Sequence, residues 1–436
     1  MLKTIDEKIL DLINDVGADS LIMKYVYNDT KFIPGSTPIY YSGPFWNKDE
    51  VASAIKSLLM GAWLSSGEAV NKFENELARK INEKYALMVN SGSSANLVMI
   101  TALKKYFRWE EGDEIIMSSV GFPTTYSPVI QNKLTPVFID IEMDTLNFDV
   151  SKIEEKINGF TKAIFVSPVL GNPPDMDKIR LICDRYGLIL ILDNCDSLGT
   201  KWNGKYLNEY ATVSSYSFYA SHEICTGEGG MVMTYNKGIM RLMRSIVNWG
   251  RDCWCVGAAN LLPQGGCGKR FDKWLDKYDG IIDHKYYFTN LGYNLKPLDL
   301  QGAIGSEQVK KLDEICERRK ESYRRISESI NKHLAEVAYM PQVLSGADVV
   351  WFGTPIVCKD KEVKDKLVAY LEENKIQTRN YFAGNILIHP AFQMIGDYKD
   401  YSNANQVLDR VLFVGASPHY HEEIFLYIDK ILKEFK

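Results

Sequence analysis

No stretch of this 436-residue chain is apolar over the length that a membrane-spanning helix requires, so no transmembrane segment is expected. Basic residues are not in excess: 51 Lys and Arg stand against 56 Asp and Glu, a net charge of −5. That removes the electrostatic footprint by which nucleic-acid binders are recognised. Internal repeats and low-complexity tracts are absent as well. The opening residues Met1 to Lys8 turn acidic too early for a secretion signal, and the cytoplasm is the expected compartment. In that setting eight cysteines read as thiols or metal ligands, not as a disulfide framework. What is present is ordinary globular material, with 46% apolar and 25% charged residues, enough for two or three domains.

The order of segments predicts an α/β protein. Ile5, Ile9, Leu12, Ile13 and Val16 recur at helical spacing in an N-terminal extension over 1–40. A Pro-, Gly- and Ser-rich loop (33–43) leads into a large domain over 41–305. There, strand-like runs at 86–89, 114–117, 136–140, 163–167, 188–192 and 230–234 alternate with helical segments. Such alternation builds a mostly parallel sheet with helices on both faces. The run Leu188 to Leu192 has no polar alternation, as a strand covered on both faces requires. A long charged helix over 307–332 opens a smaller C-terminal α/β domain, 306–436.

Chemistry is expected where the strands end. Asp193 follows the apolar run directly, at the carboxyl edge where open α/β sheets bind ligands. A carboxylate there either caps a helix or keeps a pyridine ring nitrogen protonated. Asn90-Ser91-Gly92-Ser93-Ser94-Ala95-Asn96 follows the first strand and opens a helix. Gly92, Ser93 and Ser94 either cap that helix or close their amides on a phosphate. Phe122, in Gly121-Phe122-Pro123-Thr124-Thr125, is either core or a stacking platform.

The stretch Ser217-Phe218-Tyr219-Ala220-Ser221-His222-Glu223-Ile224-Cys225-Thr226-Gly227-Glu228-Gly229-Gly230 resembles the cofactor loop of DegT/StrS-type sugar aminotransferases. Those are fold-type I enzymes that use pyridoxal phosphate. The resemblance runs from about residue 40 to 430 and implies an aspartate-aminotransferase-like fold. In that family the position of His222 is a lysine bound to the cofactor as an imine. An imidazole cannot form that bond, but it can move a proton near neutral pH. The substitution resembles the nucleotide-sugar 3-dehydratases, which use free pyridoxamine phosphate to remove a hydroxyl. The resemblance implies that Asp193 partners the ring nitrogen and that Gly92, Ser93, Ser94 and Ser217 hold the phosphate. It also implies that Phe122 stacks on the ring. Leu291-Gly292-Tyr293-Asn294 is similar to a family segment whose asparagine reaches the neighbouring subunit's cofactor, which implies a homodimer. Lys296 lies in that motif, not in the cofactor loop, and is rejected as an imine lysine. Asn172, Asp196, Tyr219 and Arg379 match substrate-side positions less closely.

Cys195, Cys253, Cys255 and Cys267 form the remaining pattern, the first two separated by 57 residues and the last two by eleven. Four thiolates suit a 2Fe–2S cluster or a structural zinc. With Trp249-Gly250-Arg251-Asp252-Cys253-Trp254-Cys255 they resemble the iron–sulfur CDP-4-keto-6-deoxyglucose 3-dehydratase type, although the loop before Cys267 is longer here. This resemblance implies a nucleotide-linked 4-keto-6-deoxyhexose substrate, with CDP favoured over dTDP or GDP. It also implies an NAD(P)H-dependent flavin or iron–sulfur reductase as partner, because a cluster passes electrons singly. A cluster-free, glutamate-coupled dehydratase and a non-catalytic sugar-nucleotide binder are the competing readings. Cys183, Cys225, Cys316 and Cys358 read as buried small hydrophobes.

Overall fold

The computed structural model describes residues 3–25, 32–61, 64–252, 268–272, 275 and 277–436. Seven strands form the large sheet: β1 (Tyr85–Val89), β2 (Glu114–Ser118), β3 (Thr135–Ile139), β4 (Thr161–Val166), β5 (Ile189–Asp193), β6 (Val213–Ser217) and β7 (Gly230–Thr234). Their order is β1-β7-β6-β5-β4-β2-β3. Only β7 runs antiparallel to its neighbours β1 and β6. The mostly parallel sheet is as expected from the sequence. In β5, Ile191 faces one buried cluster while Leu190 and Leu192 face another, so both sides are covered. Each such side chain, fully removed from water, contributes about 1.5–3 kcal/mol relative to exposure.

Sequence patterning missed β6. Its serines suggest a loop, yet Ser214 and Ser215 lie fully inside the sheet. Hydrogen bonding removes the cost of burying them. Ser214 Oγ donates to the Tyr216 hydroxyl at 3.3 Å, and Ser215 Oγ donates to Asn96 Oδ1 at 2.6 Å.

The long helix begins at Asp299 and ends at His333, earlier than its charged portion predicted. It is continuous across the expected domain division at 305/306. Gly302 and Gly305 lower helix propensity in its first turns. They are needed because a Cβ on Gly302 would lie 2.4 Å from the Val70 amide nitrogen of the helix Glu68–Lys80. Beyond it, β8 (Ala338–Tyr339), β9 (Gly353–Cys358), β10 (Thr378–Asn380) and β11 (Val411–Gly415) form a small antiparallel sheet in the order β8-β9-β11-β10. At the N-terminus, the helix Ile5–Asp15 buries Ile9 and Ile13 against Val51, Ala52 and Ile55. Leu12 and Val16 are exposed, so the apolar stripe is narrower than its periodicity implied. Among the described residues, no helix is long and apolar enough to cross a membrane.

Candidate active site

Strands β1, β2, β5 and β6 end on the same edge of the sheet, which gathers the residues that follow them. Ser91 caps the helix Gly92–Phe107, its Oγ accepting from the Ser94 amide at 3.1 Å. The first-turn amides of that helix lack intrahelical partners by geometry, and they form a ready anion cradle. The cradle is narrow. A Cβ on Gly92 would lie 2.7 Å from Ser217 Cβ and 3.0 Å from Cys195 Sγ. A Cβ on Gly230, where β7 starts, would lie 2.3 Å from the Ser91 carbonyl. Gly92, Ser217 and Cys195 therefore meet at one place, with Ser93 and Ser94 next along the first turn of the helix.

Asp193 ends β5 and is nearly fully buried. Its Oδ2 accepts from Asn96 Nδ2 at 2.8 Å and Thr125 Oγ1 at 2.7 Å. Its Oδ1 accepts from the Cys195 amide at 3.3 Å and Ser215 Oγ at 3.4 Å. Asp193 caps no helix; it is held by donors from three strand-end segments and β6. Asn96 and Thr125 belong to motifs noted in the sequence, but only their folding together gives them this role. Phe122 is half exposed, edge-on to Phe382 at 5.8 Å. It is free of the core and available as a ring platform.

His222 is largely shielded beside this edge, its side chain 12% exposed. Its imidazole lies 5.1 Å from the Phe352 ring, and its Nδ1 is 3.7 Å from Asp196 Oδ1 without a hydrogen bond. Burial drives its pKa down to about 3; nearby Arg319 adds to this, and a hydrogen bond at the Cys195 backbone opposes it. The ring is therefore neutral near pH 7, and its surroundings make the imidazolium costly to form. Asp196 accepts from the Leu170 amide at 3.3 Å. Its carboxyl is pushed well above the usual range by burial, then by Asp193 and Glu223. Burial and the same Asp193 raise the Cys195 thiol as well.

The remaining expectations are more dispersed. Tyr219 is half exposed, and its amide donates to Ser217 Oγ at 3.4 Å. Asn172 is buried and donates to the carbonyls of Thr145 and Gln342 at 3.3 and 3.1 Å, the bonding of a loop tie. Arg379 is exposed on β10, stacked 4.7 Å over Tyr41. Asn294 is exposed and accepts from Lys296, whose ammonium lies 3.4 Å over the Trp249 ring. Among the described residues, no lysine bonds Asp193. Cys253, Cys255 and Cys267 lie outside the described residues. Cys183, Cys225, Cys316 and Cys358 are all buried, as expected.

Two groups at the site had no sequence signal. Glu223 follows His222 and is buried, and Arg319 is fully buried in the long helix within a run of charges that reads as solvated. The periodicity of the long helix turns Arg319 inward and Arg318 outward.

The narrow anion cradle, the locked carboxylate, the exposed aromatic ring and an imidazole whose Nδ1 has no partner together fit a phosphorylated pyridine cofactor held without an imine. The profile of the DegT/DnrJ/EryC1/StrS aminotransferase family matches residues 46–433. The chain is 35% identical over 416 residues to lipopolysaccharide biosynthesis protein RfbH of Salmonella typhimurium, covering 93% of each. It is 36% identical to a dTDP-4-dehydro-2,6-dideoxy-D-glucose 3-dehydratase of Saccharopolyspora spinosa, covering 93% of this chain and 88% of that one. Among solved structures, it matches an E. coli GDP-4-keto-6-deoxy-D-mannose-3-dehydratase with bound hydrated PLP. That match has a TM-score of 0.79 and 30% identity, covering 91% of this chain and 100% of the other.

Proposed function

This chain belongs to the DegT/DnrJ/EryC1/StrS aminotransferase family, and from that premise we propose that it is a pyridoxamine-phosphate-dependent 3-dehydratase of a nucleotide-linked 4-keto-6-deoxyhexose. The observation that carries this reading is His222, a largely shielded, neutral imidazole where an aminotransferase needs a lysine. Two relatives named as 3-dehydratases, at 36% and 33% identity, support it.

When bound, the cofactor supplies an amine for the sugar's C4 ketone and a ring that accepts electrons. The chain's own residues do the rest. Gly92, Ser93, Ser94 and Ser217 bind the phosphate, and Phe122 lies against the ring. Asp193, fixed by Asn96 and Thr125, keeps the ring nitrogen protonated. His222 takes the proton from the C4′ carbon and returns it to the departing C3 hydroxyl. Asn294 crosses to the partner subunit of a homodimer.

The finer reading is an iron–sulfur cluster on Cys195, Cys253, Cys255 and Cys267, fed by an NAD(P)H-dependent reductase. Its support is that Cys195 Sγ borders the phosphate cradle, where an electron carrier is useful and a structural zinc is not. A specific observation favours the cluster-free alternative: a matched dehydratase structure, 31% identical, holds a trapped PLP–glutamate geminal diamine. Iron content separates the two. The cluster reading requires iron and visible absorption in anaerobically purified protein, and Cys253→Ser should then lose net deoxygenation while C3 oxygen exchange with labelled water persists. Iron-free protein that turns over with glutamate would establish the alternative. CDP is the proposed nucleotide. A panel of CDP, dTDP and GDP 4-keto-6-deoxyhexoses tests it, and turnover of only the GDP or dTDP sugar would replace it.

A further inference from the structure

Two buried groups of opposite charge pack around the His222 loop, and both are left short of partners. Arg319 is fully buried. Its Nη1 donates to the carbonyls of Trp351 and Phe352 at 3.3 and 3.1 Å. Its Nη2 donates to the Ser221 carbonyl at 2.8 Å and Ser42 Oγ at 3.3 Å. Its Nε has no partner, and among the described residues no carboxylate lies within ion-pair distance of it. Glu223 is 2% exposed, and neither of its carboxyl oxygens has a partner. A fully buried guanidinium without a counter-charge is costly, and so is an orphaned carboxyl. The charged and titratable groups that face Glu223 are Arg319 and Cys316 from the long helix and Asp196 from the turn after β5. Arg319 is the only cation of the set.

The connection to chemistry is short. Arg319 holds the carbonyl of the residue before His222, and its guanidinium lies 6.0 Å over Phe352, the ring beside the imidazole. We propose that Glu223 is a positioning residue for proton transfer by His222: from beyond ion-pair distance its carboxylate offsets the field of Arg319, whose hydrogen bond to the Ser221 carbonyl holds the loop that aims the imidazole. This role rests on the dehydratase reading. With Glu223 ionised, the positive field of Arg319 is offset just where an imidazolium must form. With Glu223 neutral, that field is unopposed.

The pH at which this happens follows from burial. Desolvation raises the Glu223 carboxyl from 4.5 to about 7, with Arg319 pulling the other way. An acid whose folded-state pKa is raised adds stability below its unfolded value and loses that contribution as pH climbs through the folded one. Ionised Glu223 therefore weakens the fold at pH 8 while it supports the proton transfer.

The experiment uses full-length enzyme with pyridoxamine phosphate deuterated at C4′ and a nucleotide 4-keto-6-deoxyhexose. Deuterium wash-out is followed at pH 6 and pH 8, beside thermal unfolding. At pH 8, Glu223→Gln should slow wash-out about tenfold, the effect of roughly one pKa unit of lost charge support. At pH 6 the two proteins should agree within about twofold, since wild-type Glu223 is then mostly neutral. Glu223→Gln should also unfold at a higher temperature than wild type at pH 8, and Glu223→Asp should recover part of the rate. Equal slowing at both pH values, or none at pH 8, overturns the role, and so does an Asp variant no faster than Gln. A wild type without wash-out overturns the dehydratase reading and this role with it, whereas normal wild-type wash-out with an unaffected Gln variant overturns the role alone.

Discussion

Asp193 and the His222–Glu223–Arg319 group sit at the same sheet edge and are bonded in opposite ways. Each oxygen of Asp193 accepts two hydrogen bonds, from Asn96, Thr125, the Cys195 amide and Ser215. Around His222, by contrast, the imidazole Nδ1, both Glu223 oxygens and Arg319 Nε have no partner. A closed network holds its members in one geometry and resists change. An open one costs stability but leaves atoms able to gain and lose protons. The anchor is preorganised, and the proton carrier is left unsatisfied.

Breaking the open side should have the largest effect on rate. His222→Asn should slow C4′ proton exchange by a factor on the order of 100 to 10,000 with cofactor affinity retained. Exchange by mass spectrometry and affinity by fluorescence titration check both halves. The same position offers a gain-of-bond control. His222→Lys should let borohydride fix pyridoxal phosphate to the chain, which the wild type should not allow; a peptide adduct on any wild-type lysine would contradict the reading.

Breaking the closed side should show first in stability. Asp193→Ala strands the Asn96, Thr125 and Ser215 donors, at about 1–3 kcal/mol for each that finds no new partner. Denaturant unfolding should lose that stability, with weaker cofactor binding beside it. Crowding the cradle is milder. Gly92→Ala places a Cβ 2.7 Å from Ser217 Cβ, an overpacking worth about 1–3 kcal/mol, and should weaken phosphate-dependent cofactor affinity more than exchange rate at saturation. The smallest effect should come from Thr125→Val, which removes one of the four donors to Asp193, about 1 kcal/mol of stability. If Thr125→Val matched Asp193→Ala, the network would not be the distributed one described.

Strand β5 was legible because a continuous apolar run needs two covering layers, whatever those layers are. Strand β6 was not, because Ser214 and Ser215 are tolerated inside only through partners more than a hundred residues away in the case of Asn96. The first turns of the long helix were hidden for a related reason. Gly302 and Gly305 disfavour a helix locally, and what requires them is the approach of another helix. Phe122 could be placed at the site by motif, but its exposure settles that it is not core.

The sequence by itself determined the layer architecture, the loop that carries His222 without a lysine, and the position of Asp193 at a strand end. These depend on local order: side-chain periodicity, turn residues and motif spacing are properties of neighbours along the chain. Only the tertiary structure decided that Asp193 is saturated with donors, that Asn172 ties a loop, and that Arg319 faces inward beside an unpartnered Glu223. Burial and hydrogen-bond satisfaction depend on what distant segments place nearby. Because desolvation scales with that surrounding, Arg319, which reads as solvated in a run of charges, becomes a fully buried cation beside the proton carrier.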